Sequence, residues 1–161
     1  MKTKVHKLSL DEFFINECRL IGIYSDELDY RMAYLLNYHL SLNFEKASNS
    51  IFQPKTQAEF SVFEYLDNNF FREFKLITNR QLIAKKYTIN EGLFQDYETI
   101  VEETVCLIKE LPKTNFLLKV TAEESEEYYL RLLENIRNIS QVYTAEFEDL
   151  NKISNKDLLK L

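Results

Sequence analysis

Arg19-Leu20-Ile21-Gly22-Ile23-Tyr24, followed at once by Ser25-Asp26-Glu27-Leu28-Asp29-Tyr30-Arg31-Met32, is the stretch on which the fold turns. Its first six residues form an apolar run of strand length, the pattern of a strand buried on both faces. The period then changes. Leu28, Met32, Leu35, Leu36 and Leu40 recur at helical spacing, and Ser25-Asp26-Glu27 supplies a cap and an acidic first turn that suits the positive end of a helix dipole. The same helix carries Tyr30, Tyr34 and Tyr38 at i, i+4 and i+8, a second stripe beside the leucines. Tyrosines so spaced form either the rim of the core, with hydroxyls in solvent, or a stacking and partner-binding face. They are candidate partner-binding residues.

Beyond this helix, Leu42 to Lys46 reads as a strand, and a polar loop containing Pro54 runs from about Ser48 to Gln57. Glu59–Leu66 and Phe71–Thr78 make the clearest hairpin, joined across Asp67-Asn68-Asn69. Its aromatics fall on both faces, with Phe60 and Val62 on one and Phe63 and Tyr65 on the other. One face must meet the helices. Phe63 and Tyr65, read as the outer face, are the second candidate contact surface. Towards the N-terminus, Val5 to Leu10 alternates well enough to be an opening strand.

Residues 80–100 have no clean period. Lys85 to Gln95, with Gly92, reads as surface winding, and Thr104 to Ile108 as a strand. The last third is regular again. Asn115–Thr121 is a strand, Thr121-Ala122-Glu123-Glu124 has the capping-box pattern, and Tyr129, Leu132, Leu133 and Ile136 define the buried stripe of a second helix. Val142–Phe147 is a final strand. The order predicts an α+β fold: one domain over residues 1–150, in two layers, with a mixed, mostly antiparallel sheet carrying two main helices on one face. Residues 151–161 form a tail with one or two helical turns.

Composition bounds the function. A chain of 161 residues buries roughly 70% of its unfolded surface without a metal or disulfide staple. Two glycines leave no material for a glycine-lined phosphate loop. Cys18 and Cys106 lie far apart in apolar stretches, as packed thiols do. The basic Met1–Lys7 is not followed by an apolar signal region, and no stretch approaches the about 18 apolar residues of a membrane span. A cytoplasmic protein is expected. The net charge of −6 and short basic runs such as Lys85-Lys86 argue against general nucleic-acid affinity.

No motif carries chemistry. A triad needs a histidine base, and His6, in a basic strand, and His39, near a helix C-terminus where a cation suits the dipole, both read as non-catalytic. Zinc spacing, the calcium loop, the Walker A pattern and the dinucleotide fingerprint are missing. Glu98, Glu102 and Glu103, and the run Glu123 to Glu127, read as solvated faces or a helix first turn. No catalytic residue, cofactor or metal is expected.

The chain resembles the IPExxxVDY family of small proteins from Bacteroidetes-type bacteria. Leu20-Ile21-Gly22-Ile23 with Asp29 to Asn37 looks like the family's N-terminal signature, and Phe60-Ser61-Val62-Phe63-Glu64-Tyr65 like its hairpin strand. The naming motif falls at Ile108 to Phe116. Ile108 and Glu110 match it, while Lys109 replaces its proline, Thr114 its valine, Asn115 its aspartate and Phe116 its tyrosine. Each departure keeps shape or strand preference while removing a charge or a hydroxyl. That fits a motif that turns the chain into a strand better than one that moves protons. The resemblance carries no particular activity with it. It implies a cytoplasmic protein of a kind often encoded near ribonuclease III and pyruvate kinase genes. The expected function is a non-catalytic interaction module that binds a protein partner or a second copy of itself. The alternatives are a small-molecule-sensing regulatory domain and an accessory protein in RNA metabolism.

Overall fold

The computed structural model describes residues 18–89 and 97–159. The expected opening strand Val5–Leu10, His6 and Gly92 lie outside the described residues. β1 (Cys18–Tyr24) leads to α1 (Asp29–Leu40), then β2 (Glu45–Lys46), β3 (Ile51–Gln53), β4 (Ala58–Phe60), β5 (Val62–Asp67) and β6 (Arg72–Thr78). β7 (Arg80–Ile89), β8 (Tyr97–Cys106), β9 (Phe116–Thr121), α2 (Glu126–Arg137) and β10 (Thr144–Phe147) follow, and two short 3-10 turns, Leu150–Lys152 and Lys156–Leu159, make the expected helical tail.

Six strands form the main sheet in the order β10-β1-β9-β6-β5-β2. The α+β class and the predominantly antiparallel sheet are as expected, and among the described residues every pairing is antiparallel. Parallelism survives only between strands that do not touch. β9 and β10 lie on either side of β1 and both run against it, so α2 closes a β-α-β unit split by β1. This placement lets a helix crossover return to the sheet without a parallel ladder.

Alternation along the strands builds two cores. Ile21, Ile23, Phe63, Phe74, Leu76, Phe116, Leu118 and Val120 meet the buried stripes of α1 (Met32, Ala33, Leu35, Leu36) and α2 (Tyr129, Leu132, Leu133, Ile136). The other face is also covered, which two layers alone would not give. Leu20, Val62, Ile77 and Leu117 pack under Ile51 and Phe60 of the small β3–β4 hairpin, under Leu107 and Ile108, and under Leu150, Ile153 and Leu159. The stretch read as a polar loop therefore contains a strand, anchored by Ile51. The chain passes from one sheet to the other at Ser61, between β4 and β5.

The ends of the elements differ from the sequence reading for local reasons. Thr121 closes β9, and the cap of α2 is Ser125, whose Oγ accepts the Tyr128 N–H at 3.2 Å. α1 starts from Leu28, which is exposed and gives no side-chain cap bond. Ser25 is instead buried, donating its hydroxyl to the Gln141 carbonyl at 2.7 Å. At the other end, Ser41 takes a left-handed conformation (φ 54°), and the Asn37 carboxamide holds Phe44, accepting its N–H at 2.7 Å and donating to its carbonyl at 3.2 Å. The segment read as surface winding is in part the strand β7. It pairs along its whole length with β8 to form a two-stranded arm, and β8 contains most of the strand expected at Thr104–Ile108.

A candidate interaction face on the first helix

The three tyrosines of α1 are exposed, Tyr30 by 63%, Tyr34 by 54% and Tyr38 by 71%. At 100° per residue, Tyr34 stands about 100–160° round the helix from each of Met32, Ala33, Leu35 and Leu36. The stripe therefore belongs to the outward side of α1 and not to the rim of its core. The i, i+4 spacing stacks one ring above the next. Tyr34 and Tyr38 lie with centroids 6.3 Å apart and planes 20° from parallel, and His39 meets Tyr38 edge-on at 5.1 Å. The guanidinium of Arg31 sits 5.3 Å from the Tyr34 ring, close enough for cation–π attraction. Arg31 was not singled out in the sequence, although its i, i+3 spacing to Tyr34 was available as a signal. Together these groups form a rigid aromatic ridge with one cation set into it.

Phe63 and Tyr65 do not form an outer face. Phe63 is 6% exposed, in the core between the sheet and the helices. Tyr65 is half-buried against the same core, stacked on Phe74 with centroids 5.8 Å apart. Both faces of the hairpin are apolar, and the helices took the one carrying Phe63. The exposed aromatics of this hairpin lie at its tip instead. Phe70 and Phe71 are exposed, and Phe71 has a φ of 55°. Arg72 is clamped there, its guanidinium 4.5 Å from the rings of both Phe70 and Tyr128 and paired with Glu124 at 2.5 Å.

The segment from Ile108 to Phe116 has a structural role. The Oδ1 of Asn115 accepts the Ser25 N–H at 3.1 Å while its own N–H is donated to the Ile23 carbonyl. Thr114 is buried. These bonds steer the chain into β9 beside β1.

Among the described residues no group of three or more His, Cys, Asp or Glu is placed to hold a metal ion, and no helix is long and apolar enough to cross a membrane. Cys18 is buried, its thiol pushed up from its ordinary pKa first by loss of solvent. Many surface cations already have carboxylate partners: Arg19 with Glu126, Lys85 with Glu103, Lys86 with Glu98, and Arg131 with Glu127; the buried Lys75 pairs with Glu64 and Glu73. No protein-family model, curated protein or solved structure matches this chain.

Proposed function

We propose that this protein is a non-catalytic interaction module that docks a second protein chain, another copy of itself or a different partner, on the tyrosine face of α1. The observation that carries the reading is the exposure of Tyr30, Tyr34 and Tyr38, each more than half open to solvent on a helix whose opposite side is core. Tyrosine offers large, stiff contact area at small entropic cost and a hydroxyl for the wet rim, which is why it is concentrated in binding patches. The paired surface cations support a protein partner over nucleic acid, since phosphate contacts require free positive charge.

The test is a variant with Tyr30, Tyr34 and Tyr38 all changed to Ser. Sedimentation velocity and affinity capture from cell extract, each against the wild type, read the contact. A folded variant that loses self-association or loses a specific co-captured protein supports the reading. Unchanged sedimentation together with an unchanged captured set sinks it.

A further inference from the structure

The tip of the β5–β6 hairpin holds two aromatic rings out in solvent. Phe71 is 86% exposed, more than any other large apolar side chain among the described residues. Its φ of 55° lies in the left-handed region, which glycine or asparagine takes at little cost and a bulky side chain does not. Exposed apolar surface and backbone strain thus fall on one residue, the kind of outlier from which a functional role is inferred. Phe70 is also exposed, and the Arg72 guanidinium braces its ring from 4.5 Å. The charge beside these rings is negative. Asp67 and Glu124 share the one guanidinium of Arg72, at 4.0 and 2.5 Å. Glu123, which borders the same shallow surface as Phe70 and Phe71, forms no ion pair among the described residues. Three carboxylates against one guanidinium leave this knob acidic.

The far end of β6 has the opposite shape and the opposite sign. The strand runs away from the tip for 7 residues, a length of roughly 23 Å. Asn79, next in the chain, accepts the backbone N–H groups of Leu107 and Ile108. Those two residues line a hollow of about 500 Å³, together with the exposed Phe52 and Pro54, the half-buried Leu158 and the buried Ile51. That volume lies within the range that takes small organic groups such as one aromatic side chain. Lys55 and Lys109 are exposed on the same hollow, and neither forms an ion pair among the described residues. Its one carboxylate, Glu110, is already held by Ser154, through the backbone N–H at 3.0 Å and the hydroxyl. An apolar hollow edged by free lysines and an aromatic knob edged by carboxylates are complementary, on a chain whose net charge is −6.

We propose that the Phe70–Phe71 knob of one molecule seats in the lysine-edged hollow of a second copy of this chain, with Lys55 and Lys109 facing Asp67, Glu123 and Glu124. Knob and hollow lie at opposite ends of β6, so the contact is head-to-tail and repeats from copy to copy. It does not use Tyr30, Tyr34 or Tyr38, and it stands or falls apart from the ridge on α1. Sedimentation velocity of the full chain reads it. The wild type should grow steadily in mean size between about 10 μM and about 1 mM, the range of a small contact, and added salt should weaken the growth. Phe71→Ser, and Lys55→Glu combined with Lys109→Glu, should each hold the chain as a monomer. Both variants should melt within about 2 °C of the wild type, because all three residues are exposed. The first variant keeps its hollow and the second keeps its knob, so an equal mixture should form a dimer and stop there. Changing Tyr30, Tyr34 and Tyr38 to Ser should leave the growth intact. A wild type that stays monomeric, one that stops at a dimer, growth that survives both variants, or a mixture that stays monomeric would overturn the assignment. Growth lost only in the tyrosine variant would assign the contact to the ridge instead. If Phe71→Ser fails to fold, the paired lysine variant still decides the matter.

Discussion

The carboxamide oxygen of Asn79 accepts the backbone N–H of Ile108 at 2.8 Å, across 29 residues of chain. The amide nitrogen of the same side chain donates to the carbonyls of Leu111 at 2.8 Å and Thr114 at 2.9 Å. Asn79 also bonds through its own backbone to Leu107 and Asn115. It is fully buried, at the joint between β6 and the β7–β8 arm. One side chain therefore ties the root of the arm to the turn that feeds β9.

Asn79→Ala is expected to lose about 3 kcal/mol or more, since it strands one N–H and two carbonyls in the interior. Asn79→Asp should be no better, because it keeps the acceptor for Ile108 but sets carboxylate oxygen against two carbonyls. Urea denaturation of both variants checks this. A loss under about 1 kcal/mol for either would mean that water or backbone relaxation replaces the side chain.

Phe63 and Tyr34 should behave as opposites. Phe63→Ala empties a core site and should cost roughly 3–5 kcal/mol. Tyr34→Ser acts on the surface and should change stability by about 0.5 kcal/mol or less. Thermal and denaturant melts of the two single variants compare them directly, and similar costs would contradict the burial assigned to each.

Glu148 gives a pH signature. Its carboxyl is raised above the ordinary glutamate range, chiefly by burial and then by the negative charge of Glu146, with the Thr114 hydroxyl working against both. A carboxyl raised in the folded state favours folding while protonated, and this contribution is lost as pH rises through the folded pKa. Glu148→Gln should therefore stabilise the protein at pH 7 relative to wild type. The difference should vanish below the ordinary glutamate value of about 4.3. Melting curves across that range provide the measurement, and a gap of constant size at all pH values would exclude titration as its cause.

Tyr129 should be the last of the described tyrosines to ionise. Its hydroxyl donates to the Ala122 carbonyl at 2.8 Å, and burial pushes its pKa up to about 12 despite the Arg19 guanidinium 5.4 Å from the ring. The neutral phenol supports the fold below the ordinary tyrosine pKa, and that support fades as pH climbs towards 12. In alkaline spectrophotometric titration, Tyr129→Phe should remove one late-ionising group. The substitution should also cost about 1–2 kcal/mol at neutral pH, because the Ala122 carbonyl is left without its donor.

Sequence made some of this readable and hid the rest for physical reasons. The strand-to-helix change at Tyr24–Leu28 and the stripe of α2 rest on local periodicity and are present, and the expected hairpin is present from Val62 to Thr78, with Glu59 and Phe60 paired instead in the small second sheet. Periodicity also separated Phe60 and Val62 from Phe63 and Tyr65. It could not say which pair meets the helices, because both sides of the sheet are apolar and both are covered. The tyrosine stripe was legible as a stripe, and its place on the outward side of the helix required the packing of α1. Asn79 carried no signal at all. Its importance comes from Ile108, Leu111 and Thr114, which reach it only in three dimensions.

The place of β1 inside the sheet governs the order in which the chain can assemble. Its two neighbours, β9 and β10, follow it by roughly 100 residues or more, a separation that slows folding because loop closure precedes any reward from contact. During synthesis, Leu20, Ile21 and Ile23 emerge early and have no strand to pair with until Phe116–Thr121 has left the ribosome. The β5–β6 hairpin and the β7–β8 arm need only their own residues and can form in the interval. β1 therefore stays unpaired, exposed to chaperones and to other nascent chains, until β9 is made, while β2 and β3 can pair with β5 and β4 soon after they emerge.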